Sequence, residues 1–252
     1  MIRLALALLL LAGPARAEEV VAALSQDRVS ISTSFDGSEI LVFGAVKRVA
    51  PAPEGEGPLG VIVTVAGPDE TVTVRRKERR LGIWVNAEAV EVSRAPSFYA
   101  VATSAPMEGL LTRTEDQRWR ITTPRALRAV GAATMSERAP EFLQALIRVR
   151  RAEGRYVTAP SAVILRDETL FSTTIALPSD LTEGSYDTRI FLLRGGRVVD
   201  VHETSIFVRK VGLERWIYRL AHDRPFLYGL LSLAIAIAAG WGASAAFRLV
   251  VR

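Results

Sequence analysis

Residues 61–74 read VIVTVAGPDETVTV, and this stretch indicates the class of the fold. Two runs rich in β-branched residues, 61–65 and 71–74, flank the tripeptide Gly67-Pro68-Asp69. β-Branched residues are enriched in strands, whereas glycine, proline and aspartate are typical of turns. The stretch therefore predicts two strands joined in a hairpin.

The same pattern continues on both sides of this stretch. Further strand-like runs occupy residues 29–32, 40–43, 81–85 and 98–102. About seven short strands at this spacing are typical of an immunoglobulin-like β-sandwich. We therefore predict a mainly β fold, with a first β-sandwich-like domain over residues 18–114.

The periodicity changes between residues 115 and 156. Phe142, Leu143, Leu146 and Ile147 form an apolar stripe at helical spacing, and the helix is predicted to end near Gly154. This pattern predicts a helical connector over residues 115–156, packed between two β units.

A second β unit is predicted over residues 157–210. Arg194-Gly195-Gly196-Arg197 is typical of a tight hairpin turn, and Gly184-Ser185-Tyr186 resembles a tyrosine corner. Four strand-like runs are few for an independent sandwich. We expect this unit either to borrow strands from the first domain or to pack tightly on it.

Residues 226–247 contain no charged side chain. As a helix this run is about 33 Å long, which is enough to cross the hydrocarbon core of a bilayer. The alternative, a buried core helix, rarely runs this long without a charge. We predict a transmembrane helix over residues 225–248, followed by a cytoplasmic tail over 249–252.

A short amphipathic helix is predicted just before the span, over residues 211–224. Its apolar positions repeat at helical spacing and its two arginines lie on the other side. Aromatic and basic residues are enriched at the membrane–water interface. The predicted interface anchors are Trp216, Tyr218, Arg215 and Arg219.

Small residues recur every fourth position in the span, at Ser232, Ala236, Gly240 and Ser244. Such a face lets two helices approach closely in a membrane. It predicts a helix-packing face for another membrane protein or for a second copy. The alternative is coincidence in an alanine-rich helix.

The first seventeen residues have the pattern of a secretory signal peptide. Arg3 precedes the apolar run 4–12, and Ala15-Arg16-Ala17 is a small-x-small cleavage site. Cleavage there makes Glu18 the first residue of the mature protein. The predicted location is a bacterial inner membrane, with the body in the periplasm and the C-terminus in the cytoplasm.

The formal net charge of +5 comes almost entirely from arginine. The basic cluster Arg75-Arg76-Lys77-Glu78-Arg79-Arg80 is interpreted as a solvated hairpin tip; the alternative is a patch that contacts anionic headgroups or a partner. An exported body does not meet nucleic acid, so none is expected as a partner. The absence of cysteine excludes thiol catalysis, thiolate metal sites and lipoprotein acylation at the processed N-terminus.

Motifs for catalysis are missing from the sequence. The two histidines, His202 and His222, lie on different predicted elements, which is a poor start for a metal site. There is no nucleophile elbow, phosphate-binding loop or dinucleotide fingerprint. Adjacent acid pairs such as Asp167-Glu168 are typical of solvated turns. We therefore expect no enzyme activity, no metal and no cofactor.

Several motifs spread over nearly the whole chain resemble a family of transmembrane proteins described from alphaproteobacteria. They are Phe35-Asp36-Gly37, Phe43-Gly44-Ala45, Gly82-Ile83-Trp84-Val85-Asn86, Pro96-Ser97-Phe98-Tyr99-Ala100, Leu170-Phe171, Pro178, Gly184-Ser185-Tyr186, Val208-Arg209-Lys210-Val211-Gly212, Leu227-Tyr228-Gly229 and Ala239-Gly240-Trp241. The resemblance implies a protein of about 250 residues with a signal peptide, a β-rich periplasmic body and a C-terminal span. It carries over no catalytic residues. Family members are often encoded near sulfite-exporter-like permeases, which implies an accessory role in transport.

The leading functional hypothesis is a membrane-anchored periplasmic interaction module, accessory to an inner-membrane transporter or an envelope complex. The alternative is an extracytoplasmic ligand-binding or sensing domain. A flat apolar surface patch would favour the first hypothesis, and a concave pocket with convergent polar groups would favour the second.

Overall fold

A computed structural model describes residues 18–31, 37–48, 57–127, 138–210 and 213–250. The predicted signal peptide and the last two residues of the predicted tail lie outside this part of the chain. The chain divides into two compact units, a body that extends to Val208 and a unit that contains the C-terminal helices.

The described residues are mainly strands, so the predicted fold class is confirmed. The strands are β1 (Glu18–Leu24), β2 (Arg28–Ile31), β3 (Ser38–Arg48), β4 (Leu59–Ala66), β5 (Asp69–Arg80), β6 (Ile83–Pro96), β7 (Tyr99–Thr103), β8 (Tyr156–Ala159), β9 (Ile164–Arg166), β10 (Leu170–Leu177), β11 (Gly184–Arg194) and β12 (Arg197–Lys210). The helices are α1 (Met107–Leu110), α2 (Arg113–Trp119), α3 (Thr123–Ala126), α4 (Ala139–Ala152), α5 (Leu213–Asp223) and α6 (Pro225–Val250).

Two larger sheets form the body, and each contains strands from both sides of the helical segment. The four-stranded sheet has the order β1-β3-β10-β9, and the six-stranded sheet has the order β2-β12-β11-β4-β7-β8. Strand β3 pairs with β10, and β4 pairs with β11, both antiparallel. The later strands therefore borrow partners from the earlier ones, which confirms one of the two expectations for the second β unit.

Strand β4 is buried on both faces. By strand alternation, Ile62 faces the helical segment, where it packs with Leu110, Ile121 and Leu146. Val63 points the other way and is also fully buried. A strand covered on both sides reads as a near-continuous apolar run, which agrees with the sequence VIVTV of residues 61–65.

The predicted connector helix is confirmed as α4. Phe142, Leu146 and Ile147 are buried, and Leu143 packs at the edge of the same cluster. Gly154 follows the helix with φ +70°, the left-handed conformation that favours glycine after a helix C-terminus. Helices α1 to α4 thus cover the face of the six-stranded sheet that the four-stranded sheet does not.

The predicted hairpin at Gly67-Pro68-Asp69 is wrong. The neighbours of β4 are β11 and β7, while β5 pairs with β6 in a separate two-stranded sheet. The chain does not turn back at these residues. The N–H of Gly67 donates to the backbone oxygen of Phe98 and the N–H of Ser97 donates to that of Pro68, both at 2.8 Å, so the pairing of β4 with β7 continues into that of β5 with β6. Strand β5 is rich in arginine and glutamate, and its residues remain unburied. The apolar β7 and β11 therefore fill the positions beside β4.

The predicted tyrosine corner is confirmed. The hydroxyl of Tyr186 donates to the backbone oxygen of Thr182 at 2.9 Å, and the ring is fully buried beside Phe98. Burial raises the pKa of Tyr186, so the phenol stays protonated and keeps this hydrogen bond. The turn at Gly195 and Gly196 is also confirmed, with φ +55° and +80°.

The C-terminal unit contains the two helices that the sequence predicts, α5 and α6. Residues Pro225–Ser244 of α6 are long and apolar enough to cross a membrane, and their side chains are not buried in protein. Pro225 stands at the first helical position, where the missing N–H removes no hydrogen bond.

Candidate interaction surfaces

The four-stranded sheet exposes an apolar surface on the side away from the core. Its large apolar side chains are between 42% and 56% exposed. They are Val21, Leu41, Phe43, Ile164 and Leu170, which we call the outer apolar face. Strand alternation explains their position, because Ile40 and Val42 of the same strand point inward and are buried.

The register makes this face continuous. Val21 pairs with Ala45, which pairs with Leu170 on the next strand. One step along, Phe43 lies opposite Ser172, which pairs with Ile164. Neighbouring strands are about 4.8 Å apart, so side chains at paired positions on adjacent strands lie side by side. Phe43 lies near the middle of the face.

Charged side chains border the outer apolar face. Glu19 pairs with Lys47 at 3.9 Å, and Glu39 and Arg166 are exposed at other positions of the border. A contiguous exposed apolar patch with a polar rim is typical of a protein–protein contact. The sequence analysis missed this face, since alternation alone does not tell which side of a strand is covered.

A buried ion pair fastens the first strand of this sheet. The carboxylate of Glu18 accepts hydrogen bonds from the guanidinium of Arg194 at 2.6 and 3.1 Å. It also accepts one from Arg48 at 3.0 Å. The side chains of Glu18 and Arg194 are only 5% and 4% exposed. Hydrogen bonds from Arg194, supported by Arg48, lower the pKa of Glu18, so its carboxylate is charged at neutral pH.

The edge of β1 is held by a second buried acid. The backbone N–H of Val20 donates to the carboxylate of Asp200, on β12 of the other sheet, at 2.9 Å. This bond satisfies an amide that has no strand partner on that side. Glu18 and Asp200 thus join the two sheets at the edge strand that carries Val21 of the outer apolar face.

A polar groove lies on the face of the six-stranded sheet against which the helices pack, at a part of that face that the helices leave uncovered. Its volume is about 590 Å³. Strands β11 and β12 contribute Asp187, Arg189 and Glu203, and the helical side contributes Trp119 and Arg120. This is the concave polar surface that the ligand-binding hypothesis requires.

Protein groups already use much of the hydrogen-bonding capacity of the groove. The guanidinium of Arg189 donates to the backbone oxygen of Trp119 at 3.0 Å and lies 5.2 Å from the ring centre of Phe191. The hydroxyl of Tyr99 donates to the backbone oxygen of Ile121 at 2.7 Å. Burial raises the pKa of Tyr99 to about 12, so this phenol is a structural donor and no proton acceptor near neutral pH.

The histidines and carboxylates of the described residues form no metal site. No group of three or more histidine, cysteine, aspartate or glutamate side chains there is placed to hold an ion. His202 lies on β12 opposite Ile190, and the Nδ1 atom of His222 lies 2.9 Å from the backbone oxygen of Tyr218 on α5. The two histidines therefore lie on different elements of the structure.

The predicted helix-packing residues lie on α6. The hydroxyl of Ser232 donates to the backbone oxygen of Tyr228 at 2.9 Å, so it is satisfied within the helix. A Cβ atom built at Gly240 meets no described atom within 4 Å. Ala236 and Ser244 are exposed on the same helix.

The predicted interface anchors lie on α5. The ring of Tyr218 stacks on His222 with a centroid distance of 4.0 Å and is 63% exposed. The backbones of Arg215, Trp216 and Arg219 belong to the same helix, and their side chains lie outside the described part of the structure.

Together these features define a class of protein, a β-rich body followed by one candidate membrane span in the described part of the chain. The model of the family described as "Putative transmembrane protein (Alph_Pro_TM)" matches residues 19–249, and the chain belongs to that family. The family membership indicated by the sequence motifs is therefore confirmed.

Other comparisons add little. A search of curated proteins finds no match. Among solved structures, the chain is similar to the sporulation control protein Spo0M of Bacillus subtilis, with 12% sequence identity and a TM-score of 0.29. That match covers 82% of this chain and 55% of Spo0M, so the chain spans about half the length of that protein.

Proposed function

We propose that this protein is a membrane-anchored interaction module that binds a partner protein through its outer apolar face. In this proposal the body lies in the periplasm, the span crosses a bacterial inner membrane and the C-terminus is cytoplasmic. The partner is an inner-membrane transporter, of which a sulfite-exporter-like permease is one candidate, or an envelope complex. The protein itself is no enzyme and carries no cofactor.

The observation that carries this proposal is the exposure of Phe43 among four other large apolar side chains on one face of a sheet. Burying a side chain of this size is worth about 1.5–3 kcal/mol. Exposure of several together is therefore unfavourable unless a partner covers them. Large aromatic residues near the centre of a contact often contribute most to binding, and Phe43 has that position.

The orientation rests on the N-terminal pattern. Residues 1–17 have the pattern of a signal peptide, and Glu18 is the predicted first residue of the mature protein. A signal peptide sends the following body across the membrane, and the uncharged span then stops transfer. These two patterns support a periplasmic body and a cytoplasmic C-terminus.

A photocrosslinking amino acid at Phe43 is expected to give a covalent adduct with another membrane or envelope protein. The experiment uses the full chain in native membranes, with adducts identified by mass spectrometry. The matched control carries the same photocrosslinker at Arg151, an exposed position on α4. Adduct formation at Phe43 no stronger than at Arg151 would contradict the proposed binding face.

Gly240→Ile separates the role of the span from that of the body. If the small-residue face packs against another helix, isoleucine at Gly240 weakens the association by preventing close approach, while membrane insertion stays intact. Leu231→Ile is the control, because it lies roughly opposite Gly240 on the helix. The measurement is the crosslinking yield, to a second copy or to another membrane protein, in native membranes. If Gly240→Ile crosslinks as well as Leu231→Ile and the parent, the span is an anchor alone.

A ligand-binding or sensing domain is the second candidate function, and the polar groove favours it. The described residues show no hydrogen bond or ion pair for the guanidinium of Arg120, which lines the groove. A small oxyanion is therefore a suitable probe. On this alternative, sulfite, sulfate or phosphate raises the melting temperature of the full chain by mass action, and Arg120→Gln abolishes the rise. Equal melting temperatures with and without all three anions would argue against it.

A further inference from the structure

A long β-hairpin extends from the body beyond its last buried residues. Val90 and Val92 of β6 are fully buried, whereas residues 75–89 contain no buried side chain. We call residues 75–89 the hairpin tip. At about 3.3 Å per residue, the six strand residues from Arg75 to the turn extend about 20 Å.

The turn of the hairpin places a leucine at its apex. Leu81 and Gly82 have φ +50° and +85°, so both central residues are in the left-handed region. Such two-residue turns normally use asparagine or glycine first, because the Cβ of an ordinary residue crowds the backbone there. A leucine in this position is unfavourable for the turn itself, which points to another use for its side chain.

Apolar side chains at the apex have no cover in the described part of the chain. Leu81 is fully exposed, and Ile83 and Trp84 are 65% and 68% exposed. Ile83 and Trp84 are neighbours on β6 and point to opposite faces, with Leu81 at the turn beside them, so a surface that meets the hairpin end-on contacts all three. Tryptophan with aliphatic neighbours is typical of segments that enter the interfacial region of a bilayer.

The positive charges of the tip are divided between its two faces. Arg76 and Arg80 both pair with the carboxylate of Glu78, which those two guanidinium groups keep charged by lowering its pKa. The other face carries three cations at alternate positions, Arg75, Lys77 and Arg79, for which the described residues show no ion pair. Trp84 lies directly opposite Arg79.

We propose that the hairpin tip binds a bilayer surface that contains anionic phospholipids. Leu81, Ile83 and Trp84 enter the headgroup region, Arg79 beside them contacts the lipid phosphates, and Lys77 and Arg75 lie further up the hairpin, where the negative surface potential attracts them. A mixed apolar and cationic tip is complementary to such a surface, which offers phosphates above an apolar layer. The chain carries its own candidate span, so a bilayer surface is always present at high local concentration.

Lipid contact explains the tip better than a protein contact does. A protein partner would need a pocket for the apex and separate acids for three cations. An anionic bilayer presents an apolar layer and phosphates over its whole surface. Each cation near an anionic surface strengthens binding about fivefold, so three together contribute about a hundredfold. This proposal is independent of the outer apolar face, which lies on a different sheet.

The absence of cysteine makes a direct test possible in the full chain. Leu81→Cys provides a single site for an environment-sensitive fluorophore, and the labelled protein is placed in nanodiscs of phosphatidylcholine with or without phosphatidylglycerol. With phosphatidylglycerol, we expect a blue-shifted emission and quenching by lipid-bound quenchers. Neutralising Arg75, Lys77 and Arg79 to glutamine should reverse both effects, as should high salt. These three side chains are exposed, and near-ultraviolet circular dichroism checks that the variant is folded.

Ser179→Cys is the control, because this exposed residue lies in the loop after β10 and outside the hairpin tip. The fluorophore at this position should show the emission of a water-exposed label, without quenching by the lipid-bound quenchers, in both kinds of nanodisc. The proposal is overturned if the label at residue 81 behaves like the label at residue 179. It is also overturned if the label inserts equally without phosphatidylglycerol. A third sample in native membranes is measured alongside, and shielding in that sample alone would overturn the proposal in favour of a protein partner.

Discussion

Replacing Arg194 by methionine is expected to lower the free energy of unfolding by about 3 kcal/mol. The carboxylate of Glu18 then stays buried and loses its two hydrogen bonds from Arg194, while the bond from Arg48 remains. A buried charge without its partner is costly, because water cannot replace the missing donor. Methionine preserves most of the apolar volume of arginine, so the loss reports on charge pairing more than on packing.

The measurement is urea unfolding of the full chain in detergent micelles, followed by tryptophan fluorescence. Trp119 packs edge-on against Phe191 at a centroid distance of 6.0 Å and reports on the body. Arg197→Met is the matched control, since Arg197 lies in the same hairpin but is exposed. An equal loss of unfolding free energy in both variants would show that the loss does not come from the buried ion pair.

The same pair predicts a dependence on pH. Glu18 has a pKa below its ordinary value of 4.5 in the folded state, because Arg194 and Arg48 donate to its charged form. Its contribution to stability is therefore present above pH 4.5 and is lost as the pH falls through the lower folded value. The difference in unfolding free energy between the parent and Arg194→Met should shrink over that acidic range. A constant difference would contradict this assignment.

Gly44→Ala is expected to lower the free energy of unfolding by about 2 kcal/mol, through overpacking. The new Cβ would lie 2.6 Å from the backbone oxygen of Val21 and 2.9 Å from the Cα of Ala22. It would also lie 2.6 Å from the ring of Phe171. A side chain could move aside, but the two backbone atoms belong to β1, which must shift as a strand.

Gly109→Ala is the control for this substitution. Gly109 lies in α1, and a Cβ atom there meets no described atom within 4 Å. Alanine at an open helical position is expected to be neutral or slightly stabilising. Hydrogen exchange should show faster exchange of the β1 amides in Gly44→Ala only. Unchanged β1 exchange and unchanged stability would show that the sheet accommodates the methyl group.

The elements that the sequence predicted well depend on short-range patterns. The length and lack of charge of residues 226–247 predicted α6, and the apolar stripe around Leu146 predicted α4. The turn at Gly195 and the corner at Tyr186 also have local causes, since each is set by residues within four positions. The basic cluster 75–80 was placed correctly on a hairpin, although its turn and strand pairing were not predicted.

The candidate surfaces could not be predicted in the same way. Strand β3 carries apolar residues on both faces, so alternation does not reveal that Phe43 is exposed while Val42 is buried. Likewise, nothing near Leu81 in the sequence shows that it forms the apex of a hairpin that the described residues leave uncovered. Both facts depend on which strands lie next to which.

The sequence by itself determined the mainly β class, the helix that is long enough to span a membrane, and the turn at Gly195 and Gly196, because propensity, length and charge act over a few residues. Only the tertiary structure decided that β4 pairs with β11 and β7, and that Glu18 meets Arg194 across 176 positions of the chain. Strands of similar composition can pair in many ways at similar local energy. The choice among them depends on long-range burial, which appears only when the whole body is assembled.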